Sequence, residues 1–224
     1  MKVLVVSVYP PDPAPEANHA LHISEQLGKL GHSVHVLCAK DGVASQVPGL
    51  VVHSIARDWS WSDLPRIISC LRECRPDVVL LIYIGWVFNH HPMITFLPTI
   101  CKAMRPQIPC VTQFEIIDTE LPRRSIMTRM MRKAMTRWAG RKELDWLFGS
   151  LLRDSAHTIV LSSPHRDRLT QHHADVREKT VIIPPPPLIR LCQDSPQETR
   201  KRIRHLIGAT DKDFVLIYWG YIYP

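Results

Sequence analysis

Short apolar runs alternate with amphipathic stretches along most of the 224 residues, and this alternation restricts the fold more than any other feature. Residues 3–9 are almost entirely apolar and rich in valine, which is typical of a strand buried on both faces. Residues 16–30 instead space their apolar side chains like one face of a helix, and Gly31 provides a C-terminal stop. The same criteria predict strands at 33–38, 51–55, 78–84, 109–114, 158–161, 180–183 and 214–219, and helices at 64–74, 93–104, 125–152, after Pro164 and at 196–206.

Strands that alternate with helices pair in parallel through right-handed crossovers. The predicted fold class is therefore α/β, with a doubly wound, Rossmann-like parallel sheet. Such sheets bind ligands at the carboxyl ends of their strands. We therefore expect the chemistry in the loops that follow Tyr9, Ile84, Phe114 and Leu161.

The formal net charge of +7 favours an acidic partner, such as nucleic acid, anionic lipid or a phosphorylated substrate. No apolar run approaches the ~18 residues of a membrane span, so we expect a protein that is soluble or lies on a membrane surface. Cys38, Cys101 and Cys110 lie in apolar surroundings typical of reduced, buried thiols, so we expect a cytoplasmic protein. The six cysteines form no C-x-x-C pair. Cys70 and Cys74 lie one helical turn apart, but no histidine or further cysteine is near them in the sequence. We therefore expect no metal site.

Six segments, in order, resemble the N-terminal domain of family-four glycosyltransferases of the GT-B class. They are 27–36 with Gly31-His32, 75–82 (RPDVVLLI), 108–115 (IPCVTQFE), 154–169, 179–187 (KTVIIPPPP) and 213–224. The resemblance implies the N-terminal half of a GT-B architecture. Residues 1–208 would form the acceptor-side domain, and residues 209–224 the linker and first strand of a donor-binding C-terminal domain. The chain is accordingly expected to be truncated.

The resemblance implies a hexosyltransferase that moves a sugar from a nucleotide-diphosphate sugar to a glycan or lipid-linked acceptor, as in polysaccharide biosynthesis. It implies no cofactor and no metal. The chain departs from the family pattern in three places. The loop at 11–18 has no glycine, Phe114 stands where the family has a histidine, and Tyr221 stands where it has an arginine. Two alternatives remain open: a non-catalytic membrane- or partner-binding Rossmann-like module, and a sugar-nucleotide epimerase of the same architecture.

Several polar and aromatic residues are candidates for the cleft because they lie at strand ends. Glu115 ends a core strand and is the candidate catalytic carboxylate, although a helix cap or a surface acid is the alternative. Asn18 and His19 open the first helix, where Asn18 could instead act as a cap. The remaining candidates for the acceptor and donor cleft are Pro11, Trp86, Ser162 and Gly220.

The segment 123–142 carries eight basic residues and no acidic one. Helical spacing places Arg129, Arg132, Lys133 and Arg137 on one face, opposite Met127, Met130, Met131, Ala134 and Trp138. A basic amphipathic helix fits an anionic membrane surface, so we expect peripheral attachment to the inner face of a membrane. The alternative is an ordinary surface helix with its methionine face on the core. No nucleic-acid partner is expected, because no recognition motif is present.

Overall fold

The computed structural model describes residues 1–39, 49–117, 130, 133, 148–172, 174–185 and 194–216. Seven strands within these ranges form one sheet in the order β3-β2-β1-β4-β5-β6-β7, and every pair in it is parallel. The strands are β1 (Lys2–Val6), β2 (Ser33–Ala39), β3 (Leu50–Ala56), β4 (Val78–Tyr83), β5 (Cys110–Phe114), β6 (His157–Val160) and β7 (Thr180–Ile182). The predicted fold class, a doubly wound Rossmann-like parallel sheet, is confirmed.

The α-helices of the described part are α1 (Pro15–Lys29), α2 (Leu64–Cys74), α3 (Leu97–Ala103), α4 (Leu151–Asp154), α5 (Ser163–His172) and α6 (Pro196–Leu206). Shorter 3₁₀ turns cover Trp61–Asp63, Gly85–Phe88, Pro92–Phe96 and Ala174–Lys179. No helix among the described residues is long and apolar enough to cross a bilayer.

The strand order reverses at β1, which pairs with β2 on one side and with β4 on the other. Val3 of β1 is in register with Val34 of β2 and with Val78 of β4. The chain builds the sheet outward from β1 in one direction and then returns to continue from β4 in the other. This reversal opens a crevice at the carboxyl ends of β1 and β4, where sheets of this kind bind ligands.

Alternate residues of the strands supply two apolar layers, one on each face of the sheet. Val5 and Val36 are fully buried on the face that α1 covers with Ala20 and partly buried apolar neighbours. Leu4 and Leu37 are fully buried on the opposite face, in the same cluster as the apolar side of α2. Because each such side chain contributes about 1.5–3 kcal/mol when buried, the sheet is a rigid base for the loops at its edge.

Two of the predicted helices differ from the structure. The helix predicted at 93–104 is divided into a 3₁₀ turn and α3, since Pro98 in the first turn of α3 has no N–H to continue an earlier helix. The prediction of a helix over residues 125–152 is also wrong at its C-terminal end. Gly149 has a φ of +56° within a turn, and α4 begins only at Leu151.

The chain divides into two compact units, Met1–Pro186 and Pro187–Pro224. The first unit therefore ends before residue 208, the boundary predicted from the sequence. It ends shortly after β7, where prolines follow in the sequence and cannot donate hydrogen bonds to a neighbouring strand. Helix α6 belongs to the second unit. The strand predicted at 214–219 is absent from its described part, residues 214–216.

A candidate active site at the switch point

Gln113 and Glu115, at the end of β5, direct their side chains toward α1. Successive strand residues point to opposite faces, so Phe114 between them faces the other layer. There Phe114 is fully buried and packs edge to face on Tyr83 and Phe148, with ring centroids 5.8 and 5.3 Å apart. The side chain at 114 therefore belongs to the core, and only its two neighbours can serve a site under α1.

His19 of α1 meets these two polar side chains, and we call His19, Gln113 and Glu115 the His19 cluster. The Gln113 Nε2 atom donates to Glu115 Oε1 at 2.5 Å and lies 3.1 Å from His19 Nε2. His19 Nε2 is 3.6 Å from Glu115 Oε1, and the two side chains are only 5% and 11% exposed. The predicted residues His19 and Glu115 are thus brought together, through a glutamine that sequence analysis missed.

The hydrogen bonds of the His19 cluster orient its side chains. An amide nitrogen can only donate, so His19 Nε2 accepts from Gln113 in this arrangement. Glu115 Oε1 accepts from the same amide and is therefore held as a carboxylate oxygen. A carboxylate that is fixed by a neutral donor keeps its capacity to accept from a bound hydroxyl.

Two polar atoms, one just after β1 and one in the first turn of α1, are buried without hydrogen-bond partners among the described residues: Ser7 Oγ and Glu16 Oε2. Ser7 directly follows β1, and Glu16 lies in the first turn of α1. Burial raises the pKa of Glu16, and a backbone hydrogen bond partly offsets this rise. The negative charge of Glu115 raises the pKa of Glu16 further. Unpartnered buried polar atoms are rare in folded proteins, so these two atoms are candidates to contact a polar ligand.

The loop between β1 and α1 carries the predicted residues Pro11 and Asn18. Pro11 follows a cis peptide bond and is exposed, and Asp12 Oδ1 accepts from the Ala14 N–H at 2.9 Å just before α1. Helix α1 begins at Pro15 with Ala14 at its cap position, so capping by Asn18 is wrong. Asn18 lies inside the helix with an exposed side chain, one residue from the buried His19.

A buried aspartate holds the loop after β3. Asp63 is fully buried, and its Oδ2 accepts from the N–H groups of Arg57, Asp58 and Trp59 at 2.9, 3.1 and 3.0 Å. Burial acts to raise the pKa of Asp63, but these hydrogen bonds outweigh it and the pKa is lowered. Sequence analysis missed Asp63, although Ser60-x-x-Asp63 before an apolar helix is the pattern of a capping box.

The loop that Asp63 fixes supports the turn that carries Trp86. Trp59 has a φ of +57° and is 2% exposed, and its ring packs edge to face on Phe88 at 4.8 Å. Phe88 and Trp86 share the 3₁₀ turn after β4, and Trp86 is 46% exposed. An exposed indole beside the carboxyl end of β4 can stack on a sugar face.

The other predicted residues have separate outcomes. Ser162 Oγ accepts from the His165 N–H at 3.4 Å, so Ser162 serves as a cap of α5. Gly220, Arg129, Arg132 and Arg137 lie outside the described residues. Lys133 and Met130 are described, and both are exposed, Met130 by 66%. The alternative in which Met130 packs on the core is therefore wrong at that residue.

The comparisons with known proteins place the chain in a family. Among solved structures, the chain is similar to an alpha-glucosyltransferase in complex with UDP and a 13-mer DNA, with 10% identity, a TM-score of 0.46, and coverage of 83% of this chain and 42% of that one. It is similar to a ugt transferase from Siraitia grosvenorii in complex with UDP, with 12% identity, a TM-score of 0.48, and coverage of 92% and 55%. It is also similar to a Medicago truncatula protein complexed with UDP-glucose, with 12% identity, a TM-score of 0.47, and coverage of 92% and 57%.

The chain spans about half the length of these structures. No curated protein sequence matches it significantly. The family model of Glycosyltransferase Family 4 matches residues 17–186, which is more than half of the chain. This match contains most of α1, all of β4 and β5 and the whole His19 cluster, and the chain therefore belongs to Glycosyltransferase Family 4.

Proposed function

We propose that this chain forms the acceptor side of a hexosyltransferase, which moves a sugar from a nucleotide-diphosphate sugar to a glycan or lipid-linked acceptor. Membership of Glycosyltransferase Family 4 supports the reaction class. The position of the His19 cluster supports its assignment to the reaction centre, since ligands of such sheets bind at the switch point. The donor is a substrate, and no cofactor enters the proposal.

The observation that carries the proposal is the Glu115 carboxylate, held by Gln113 beside His19 and two unpartnered polar groups. A sugar presents many hydroxyls that both donate and accept. In the proposed complex, Glu115 accepts a hydrogen bond from the acceptor hydroxyl, and Ser7 Oγ and Glu16 Oε2 contact neighbouring hydroxyls. The hydroxyl oxygen then bonds to the anomeric carbon as the bond from that carbon to the diphosphate breaks.

Glu115 has a defined part in this transfer. The attacking hydroxyl must lose its proton, and a carboxylate within hydrogen-bond reach can take it during the attack. Gln113 keeps the carboxylate oriented, and the buried His19 limits its contact with water. Positive groups of the donor side would stabilise the leaving diphosphate.

We also propose that the segment 123–142 attaches the protein to an anionic membrane that carries the acceptor, on the cytoplasmic side. The segment carries eight basic residues and no acidic one, which supports this proposal. The exposure of Met130 and Lys133 also supports it. A basic helix with exposed apolar residues gains both electrostatic and hydrophobic energy at such a surface.

The experiment that tests the reaction compares Glu115→Gln with wild type. Sugar transfer and donor hydrolysis are measured with a panel of nucleotide sugars, by the chain alone and with a separately produced donor-binding domain of the family. Loss of the carboxylate should lower transfer by about 10²–10⁴-fold, the usual contribution of a general base. The control is Glu25→Gln on α1, whose carboxylate only approaches His22 at 3.9 Å, and it should keep full activity.

The outcomes separate the three functions that the sequence leaves open. Transfer that survives Glu115→Gln in a folded protein would remove Glu115 from the reaction. Conversion of the donor to an epimeric nucleotide sugar without transfer would identify an epimerase. No turnover and no sugar binding, with or without the donor-binding domain, would leave the non-catalytic module.

A further inference from the structure

Two histidines and a cysteine meet on the α2 face of the sheet, far in the sequence from one another. His35 of β2 and His53 of β3 have stacked rings with centroids 5.2 Å apart, and His35 Nδ1 lies 2.9 Å from His53 Nε2. Cys74 ends α2, and its sulfur and one ring nitrogen of each histidine all lie within 4.8 Å of one another. We call these three residues the His35 cluster.

The register of the strands produces this juxtaposition. Leu37 pairs with His53, so His53 shares a face with Leu37 and, two residues earlier on β2, with His35. Leu37 and Cys74 belong to the same buried layer. Arg75, with a φ of +46°, ends α2 directly after Cys74. The cluster is therefore fixed by strand pairing and by a helix end rather than by a mobile loop.

We propose that His35, His53 and Cys74 bind one Zn²⁺ ion, with the fourth position left to water. Imidazole nitrogen and thiolate sulfur are the ligands that zinc prefers. Zinc bonds of about 2.0–2.3 Å in a tetrahedron set the ligand atoms roughly 3.3–3.7 Å apart. The observed 2.9 Å between the nitrogens reaches that spacing through small side-chain rotations, with loss of the histidine–histidine hydrogen bond.

The surroundings of the His35 cluster suit a cation bound by neutral imidazoles and a thiolate. Both histidines are partly buried and Cys74 is buried. A bound metal deprotonates a cysteine thiol outright. The Lys2 ammonium donates to the Cys74 carbonyl at 2.8 Å.

The proposed zinc site is separate from the proposed reaction centre. Cys74 precedes β4 and Lys2 begins β1, so the His35 cluster lies toward the amino ends of the strands, whereas the His19 cluster lies beyond their carboxyl ends. Sequence analysis predicted no metal because it sought partners of Cys74 nearby in the chain. The proposed role is to tie β2, β3 and α2 together, independently of sugar transfer.

Cobalt titration of the metal-free full chain tests the proposal. Co²⁺ replaces Zn²⁺ in such sites and reports a thiolate ligand through a sulfur-to-cobalt charge-transfer band. We expect one Co²⁺ per chain, displaced by Zn²⁺, and a zinc-dependent rise in the melting temperature. Cys74→Ser should abolish the charge-transfer band, and His35→Gln or His53→Gln should each weaken binding at least about tenfold.

The matched control is Cys70→Ser, one turn earlier on α2, where the thiol is also buried but lies outside the cluster. It should bind Co²⁺ like the wild type. A folded wild-type chain without the charge-transfer band would overturn the proposal. So would a Cys70→Ser variant that loses the band, or a folded His35→Gln variant that keeps full affinity.

Discussion

Replacing Asp63 with asparagine should destabilise the fold through the loop after β3. The Asp63 Oδ2 atom accepts three backbone N–H bonds of 2.9–3.1 Å, while Oδ1 accepts from Arg66 Nη1 at 3.1 Å. Because all three N–H groups point at one oxygen, the asparagine oxygen can take its place. The variant thus keeps the geometry and loses the negative charge, and its NH₂ group then faces the Arg66 guanidinium.

The magnitude follows from the change in hydrogen-bond type. A bond to a charged acceptor contributes about 1.5–3 kcal/mol and a neutral one about 0.5–1.5 kcal/mol, so each bond loses roughly 1 kcal/mol. Bonds that share one oxygen do not add fully, and the Arg66 pair is partly exposed and contributes at most about 1 kcal/mol. We expect a loss of about 2–3 kcal/mol in the free energy of unfolding. Asp63→Ala should cost more, because it leaves three N–H groups without an acceptor.

Urea unfolding at pH 7, followed by circular dichroism, measures this loss. The control is Asp167→Asn, whose carboxylate is 61% exposed and only approaches Arg166 at 3.9 Å. It should change the free energy of unfolding by less than about 0.5 kcal/mol. A loss for Asp63→Asn as small as that of the control would refute the assignment of Asp63 as the anchor of this loop.

The loss of stability caused by Asp63→Asn should depend on pH. The pKa of Asp63 is lowered in the folded state, so the unfolded chain binds more protons between that pKa and the ordinary aspartate value of about 3.9. The stabilisation is therefore complete above the ordinary value and is lost as the pH falls through the lowered pKa. The deficit of Asp63→Asn should be constant from pH 5 to 8 and shrink in strong acid. A deficit that stays unchanged there would contradict the charge-based explanation.

Three further predictions concern other parts of the chain. Gly149→Ala should lower the free energy of unfolding by about 1–3 kcal/mol, because Gly149 has a φ of +56° and the new Cβ would meet Thr95 Oγ1. Thermal unfolding measures this loss, and an unchanged stability would contradict the contact. Glu16→Gln should stabilise the protein at pH 7, because the pKa of Glu16 is raised in the folded state and its negative charge therefore lowers stability above that pKa. The gain should disappear in acid, where Glu16 is protonated. Urea unfolding at several pH values measures the difference in the free energy of unfolding. Removal of the charges of Arg129, Arg132, Lys133 and Arg137 should abolish sedimentation with anionic liposomes, whereas binding that persists would exclude this segment as the membrane contact.

The strands were predictable from the sequence because their signal is local. A buried parallel strand needs an apolar run, and each of the seven observed strands overlaps a predicted one. The ends were less predictable, since the last hydrogen bond depends on the neighbouring strand. Residues 7–9 are apolar or small enough to continue β1, yet the strand ends at Val6, beyond which the chain leads into the loop before α1.

The candidate site was only partly predictable because it joins elements across the sheet. That Gln113 and Glu115 share a face follows from the two-residue period of a strand. That His19 lies above them does not, because the position of α1 over β5 depends on tertiary packing between elements whose contacting residues are 94 positions apart in the sequence. The same reasoning applies to His35, His53 and Cys74, whose proximity comes from strand register and a helix end.

Phe114 occupies a position where the family has a histidine, and its packing explains why this chain can have a phenylalanine there. The phenylalanine is one of three departures of this chain from the family pattern. In this structure the side chain at 114 lies between Tyr83 and Phe148 on the core face, where an imidazole would have to be buried among aromatic rings. The imidazole that contacts Glu115 comes instead from α1, on the opposite face of the sheet. Because a histidine, a glutamine and a carboxylate still meet on that face, the departure at Phe114 leaves the groups that the proposed function uses in place.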